Sequence, residues 1–452
     1  MPLAVINVVG LSASLLDERM PRLSFFAERV GLQSYRPEFP ALTCSAQASM
    51  LTGRTPAEHG IVGNGWYDRE TAEVRFWKQS NAIIHGEKIW DHLRASVPGF
   101  SCANFFWWFN MHSTVDFSVT PRPLYPADGR KVFDVHTQPM ELRESLKQDL
   151  GPFPFPQFWG PAAGIASSQW IAQAARWVDA RHAPMLQLIY LPHLDYGLQR
   201  DGPDAPQMVA ELSAIDQTAG DLIDYYESSG FDVMVLSEYG ISAVSKPVHL
   251  NRAFREAGWI QIKHELGRET LDAGGSQVFA IADHQVAHVY VKQSSMLDAV
   301  KKLLENLLGV ERCVPASEIW AEGIGRERAG DLIVIAEKDA WFTYYFWNDD
   351  AVAPDYARTI DIHRKPGYDP CELHIDPALR FPQWQIGRHL LKKKIGFRSL
   401  LEVIPLDATL VRGSHGRSDV PVGEQPVVIG SKHTIRCAAD IFEAMIRHAS
   451  PA

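Results

Sequence analysis

The sequence predicts an α/β fold, a mostly parallel central sheet with helices on both faces. Three observations carry this reading. Short β-branched runs, clearest at 4–9, 185–190 and 232–236, alternate with helical stretches. Between the last two, Met208–Ser228 keeps apolar residues at three- and four-residue steps: Val209, Leu212, Ile215, Ala219, Leu222 and Ile223. Gly230 follows as a C-terminal stop, so the unit reads as a right-handed parallel crossover. Finally, the two later strands run into polar turns, 192–195 (Pro-His-Leu-Asp) and 237–240 (Ser-Glu-Tyr-Gly). In open α/β sheets ligands bind at the carboxyl ends of strands, so chemistry is expected at these turns.

Composition bounds the function. The chain has 452 residues, 46% hydrophobic and 22% charged, the balance of an ordinary globular protein. A net charge of -10 excludes the basic footprint of a nucleic-acid polymer binder and leaves room for a small phosphorylated ligand met by a local patch. Residues 1–452 read as one domain with a cap or insertions around 105–160 and 260–400, since no repeat or linker interrupts them. The stretch 105–158, rich in aromatics and prolines, reads as an irregular excursion over the sheet. Trp107, Trp108 and Phe109 within it are expected to fill core, with base or sugar stacking as the alternative. Five scattered cysteines argue against a disulfide framework. The opening run 2–10 is too short to span a bilayer and lacks a signal-peptide pattern, so a cytoplasmic protein with no membrane span is expected.

The most informative segment runs from Pro40 to Gly53 and continues through His59-Gly60-Ile61-Val62 to Asn64. Thr43 stands at the start of a helix, where its hydroxyl reads first as an N-cap and where unpaired N–H groups favour an anion. This segment resembles the nucleophile region of the type I phosphodiesterase/nucleotide pyrophosphatase family, within the alkaline phosphatase superfamily. The likeness continues in order through Gly86-Glu87-Lys88-Ile89-Trp90, Asn104–Trp107, Tyr190 to Asp195, Ser237–Gly240 and Gly413-Ser414-His415-Gly416. The resemblance implies an alkaline-phosphatase-like three-layer sandwich with an inserted cap. It also implies Thr43 as nucleophile and Asn64 as a holder of phosphoryl oxygens.

The departures from the family pattern concern its metal ligands. The family holds two divalent ions, usually zinc, on Asp and His. Here Val9 replaces the first Asp, Gln199 a His, and Glu238-Tyr239 an Asp-His pair, while Asp195 and His415 remain. Neutral and carboxylate oxygens in place of imidazoles shift preference from a zinc pair toward manganese or magnesium. One ion is expected rather than two, held by Asp195, His415 and Glu238, with Gln199 and Tyr239 as weaker donors. Among histidines that could refill the set (His193, His284, His288 and His363), His363 ranks first. Arg364 and Lys365 beside it read as a phosphate-neutralising pair or a solvated basic turn.

The function implied by the resemblance is metal-dependent hydrolysis of a phosphodiester, pyrophosphate or monoester through a phosphorylated or nucleotidylated Thr43. Two alternatives stay open at this level. One is a non-catalytic descendant that binds phosphate ligands; the other is a phosphoryl transferase or isomerase acting on a small metabolite.

Overall fold

A computed structural model describes residues 2–397 and 399–449. Its centre is an eight-stranded sheet in the order Leu32–Ser34, Val427–Ile429, Asp232–Leu236, Leu3–Val8, Leu186–Leu191, Cys102–Phe105, Phe117–Pro121 and Val135–Gln138. The five strands from Asp232–Leu236 to Phe117–Pro121 run parallel, and antiparallel strands close both edges. Every residue of Leu3–Val8 is buried, as a strand paired on both sides and covered on both faces requires. The crossover helix spans Met208–Ser228 as predicted. Its flanking strands lie on either side of Leu3–Val8, so the crossover passes over one strand.

Helices cover the sheet in two groups, giving the three-layer α/β sandwich. Ile165–His182 packs with Met208–Ser228, while Thr43–Thr52 and Ile89–Ser96 pack with Asp440–Ala449. Not all of 105–158 is an irregular excursion. Its runs FSVTP and VHTQ become the strand Phe117–Pro121 and the edge strand Val135–Gln138, because β-branched residues in register outweigh the flanking prolines. A second, four-stranded antiparallel sheet orders Val278–Asp283, Val286–Val291, Leu332–Ala336 and Val310–Pro315 around its own apolar cluster. The turn of its first hairpin, at His284, reaches the carboxyl ends of the central strands, where Gln285 N–H donates to the His415 carbonyl.

One buried ion cluster pins the segment after this sheet. Lys365 Nζ lies 2.7 Å from both Asp369 and Glu372, and Glu372 also accepts the Trp159 indole N–H. Arg364, its neighbour, pairs with Asp355 at the surface. Lys365 is therefore structural and faces no ligand. Lys365→Met strands two buried carboxylates and should cost about 3–5 kcal/mol in urea unfolding. Arg364→Ala should stay within about 0.5 kcal/mol. Equal losses for the two would refute the assignment.

Candidate active site

The strand ends and one helix start converge on a single cavity. Its lining includes Thr43, Asp195, Gln199, Tyr239 and His415, together with His284, Tyr190, Tyr196 and Tyr368, and the rings of Trp77, Trp108, Phe158 and Trp159. Trp107 and Phe109 are core, so the aromatic stripe divides, with only Trp108 reaching the cavity.

Thr43 is not the helix cap. Leu42 occupies that position with extended backbone, and Thr43 is the first helical residue. Its hydroxyl is thereby released from capping and sits 2.9 Å from the Tyr239 hydroxyl. Tyr239 donates in turn to Asp195 Oδ1 at 3.3 Å. Nor does Asp195 lie in an open turn. Residues His193–Asp201 form a helix, which stacks Asp195 and Gln199 one turn apart, and Gln199 Nε2 donates to Asp195 Oδ2 at 2.7 Å. The Gln199 carbonyl accepts the Tyr368 hydroxyl. Close approach makes this possible: a Cβ on Gly10, at φ +81°, would meet Leu198 at 3.1 Å.

His415 donates from Nδ1 to the Ala41 carbonyl at 2.7 Å, leaving the Nε2 lone pair unpartnered and buried. His284, at φ +59° in its hairpin turn, does the same through Nδ1 to Asp283. The two rings are 3.8 Å apart, between Tyr239 stacked on His415 at 3.6 Å and Tyr368 stacked on His284 at 3.7 Å. Burial, and for His415 the neighbouring His284, holds both imidazoles well below their ordinary pKa, so they are neutral acceptors.

Other candidates fall elsewhere. Asn64 braces the nucleophile helix, accepting Cys44 N–H on Oδ1 and donating from Nδ2 to Asp283. Glu238 does not line the cavity; its Oε1 accepts from Asn7 and Gln47, while its Oε2 is buried and unpartnered. His363 has an exposed side chain and His193 pairs with Glu211, while His288 donates to the Val62 carbonyl. His284 is the histidine that joins the site. Its sequence signal was weak, because a His in a two-residue hairpin turn looks like any surface turn.

Val9 is fully buried and offers no donor, which removes one anchor of a two-ion centre. Both oxygens of Asp195 are engaged by neutral donors, and one oxygen of Glu238 is engaged by Asn7 and Gln47. Among the described residues no three His, Cys, Asp or Glu side chains group closely enough to hold an ion. The donors named from the sequence for one ion, Asp195, His415, Glu238, Gln199, Tyr239 and His363, therefore do not assemble into a cage. For Asp195 the physical reason is that both of its oxygens already accept hydrogen bonds within the protein.

A hydroxyl at a helix start, facing an Asp that follows a parallel strand and a His that follows a short antiparallel bridge, sits on an α/β fold of the alkaline-phosphatase type. The chain belongs to the type I phosphodiesterase/nucleotide pyrophosphatase family, whose model matches residues 3–369. It is similar to an uncharacterized pyrophosphatase/phosphodiesterase of Schizosaccharomyces pombe, at 26% identity over 77% of this chain and 61% of the relative. It is also similar to ectonucleotide pyrophosphatase/phosphodiesterase 1 of Saccharomyces cerevisiae, at 23% identity over 47% and 29%. The chain thus spans 61% or less of the length of these two curated relatives. Two solved structures share the fold. Murine ectonucleotide pyrophosphatase/phosphodiesterase 5, as an inactive variant with AMP, has TM-score 0.59 and 13% identity, over 99% of this chain and 95% of that one. Phosphonoacetate hydrolase of Sinorhizobium meliloti with phosphonoformate has TM-score 0.59 and 12% identity, over 100% and 96%. This family is generally metal-dependent.

Burial raises the pKa of Asp195 and Asp283 to about 7 and of Glu238 to about 8. Raised folded values mean that the native state holds protons the unfolded chain has already released, so stability falls as pH rises through 7 to 8. Below 6.5 the depressed histidines oppose this, because unfolding then takes up protons. The melting temperature should therefore drop between pH 6.5 and 8.5, and calorimetry across that window checks it. A flat or rising profile would contradict the burial of uncompensated carboxylates.

Proposed function

We propose that this protein hydrolyses phosphate diesters through Thr43, and that Asp195 draws the Thr43 proton away through Tyr239. The carrying observation is the hydrogen-bonded chain from Thr43 to Tyr239 to Asp195. As Thr43 Oγ bonds to phosphorus, its proton passes to the Tyr239 oxygen and the Tyr239 proton passes to Asp195. The departing alkoxide takes a proton from solvent, leaving Thr43 esterified to a phosphate that keeps the second ester group. Water, positioned by the Nε2 lone pairs of His415 and His284, then attacks phosphorus and loses a proton to solvent, while Asp195 returns its proton through Tyr239 to the departing Thr43 oxygen. Burial and the neighbouring Asp195 and Glu238 charges push the Tyr239 phenol up, so it relays a proton without accumulating as phenolate. The start of Thr43–Thr52 supplies positive dipole to the phosphoryl oxygens, and Asn64 braces that helix. No step is routed through a metal ion.

Charge supports a diester over a monoester or pyrophosphate. The described cavity lining contains no Lys or Arg and includes one carboxylate, so a singly charged phosphate fits with less repulsion than a dianion. Four aromatic rings around the mouth suit an apolar or aromatic ester group. The small phosphorylated substrate is thus the one partner this site calls for. Free cysteines throughout the described chain support a reducing compartment such as the cytoplasm.

The test uses bis(p-nitrophenyl) phosphate and p-nitrophenyl phosphate with purified protein. The diester should be preferred, and kcat/KM should climb as pH rises through about 7, where the base becomes ionised. Thr43→Ala should abolish turnover without a cap-sized stability loss, and Tyr239→Phe should lower kcat by about 100-fold or more. Turnover should survive chelation. A Tyr239→Phe variant with native kcat, or activity that vanishes with chelator and returns with a divalent ion, would sink the relay.

A further inference from the structure

The segment 377–401 stands apart from the rest of the chain in charge. It carries six Lys and Arg residues and no Asp or Glu, within a protein of net charge -10. Most of it forms the helix Pro382–Lys394 and the turn after it. The helix is inverted relative to one packed for its own fold. Gln385, Ile386 and His389 turn inward and are half-buried, above a cavity of about 710 Å³ lined in part by Arg268, Arg358 and Asp376. The large apolar side chains turn outward instead: Phe381, Trp384, Leu390, Leu391, Ile395 and Phe397 are each between 57% and 66% exposed. Trp384, Leu391 and Ile395 fall on one stripe at i, i+7 and i+11, and the Ile395 N–H continues the helical bonding to Leu391. Arg380 and Arg388 lie over the Phe381 and Trp384 rings at 5.3 and 5.1 Å, and Lys392 and Lys394 are exposed beside them.

We infer that this face docks the protein on an anionic lipid surface, with the aromatic and aliphatic side chains entering the interface and the cations meeting the headgroups. A basic helix with exposed Trp, Phe and Leu is the composition that lies in the plane of a bilayer. Charge complementarity selects the occupant. Two copies meeting through this face by a two-fold axis would place like charge on like charge. A nucleic-acid backbone would use the cations but leave the six apolar side chains without a partner. An anionic bilayer satisfies both halves of the surface. No helix among the described residues is long and apolar enough to cross a membrane. This inference is independent of the reaction proposed above.

Vesicle flotation with the full-length protein tests it, using phosphatidylcholine vesicles with and without phosphatidylserine at physiological and high salt. Binding should be at least about tenfold stronger to the serine-containing vesicles and should weaken in high salt. The double variants Trp384→Ser/Leu391→Ser and Arg388→Glu/Lys392→Glu should each lose most of it. Both change exposed side chains, so circular dichroism and turnover of a soluble diester should stay native. Three results would overturn the inference: no serine-dependent binding; native binding by both double variants; or self-association or RNA binding that these substitutions abolish while vesicle binding persists.

Discussion

A single buried carboxylate organises the catalytic end of this molecule. Glu238 leaves the end of Asp232–Leu236 and accepts from Asn7 on Leu3–Val8 and from Gln47 on the nucleophile helix. Gln47 passes the connection on, its carbonyl accepting the Trp108 N–H. Two adjacent parallel strands, the helix start and the wall of the cavity are thus fixed to one another by one acceptor group. A carboxylate this deep is costly unless its lone pairs are satisfied, and these short bonds to neutral amides do that at Oε1.

With Glu238 committed to the scaffold, the next residue inherits the site. Tyr239 stacks flat on His415 and bridges Thr43 to Asp195, placing a phenol between a hydroxyl and a buried carboxylate. Gln199 completes the effect by occupying the second oxygen of Asp195 and taking the Tyr368 hydroxyl. Two of the substitutions relative to the family pattern, Gln199 and Tyr239, thereby share one partner, Asp195. Gln and Tyr, poor metal donors, are good hydrogen-bond partners for a carboxylate, and an Asp so engaged needs no cation to be held in place. The result is a cavity in which Thr43, Tyr239, Asp195 and Gln199 are joined by hydrogen bonds and whose walls are largely aromatic.

The sequence by itself determined the strand–helix–strand core and the α/β class, which follow from periodicities of two and 3.6 and are therefore local. The helix Met208–Ser228 was legible to the residue for that reason. The grouping of Thr43 and His415 with the Asp195 and Glu238 turns was legible only with the family resemblance added to the rule that parallel strands gather their carboxyl ends. Tertiary structure alone decided which way each polar side chain turned. Whether Glu238 faces the cavity depends on Asn7 and Gln47, 231 and 191 residues away, and no spacing encodes that. His284 was preferred over His363 because a hairpin from a second sheet delivers it beside His415, a contact across 131 residues of chain that periodicity does not encode. Thr43 escaped its capping role because Tyr239 offered its hydroxyl a partner and Leu42 took the extended cap position. Side-chain direction at a buried site is set by competition for hydrogen-bond partners, and only the fold supplies the competitors.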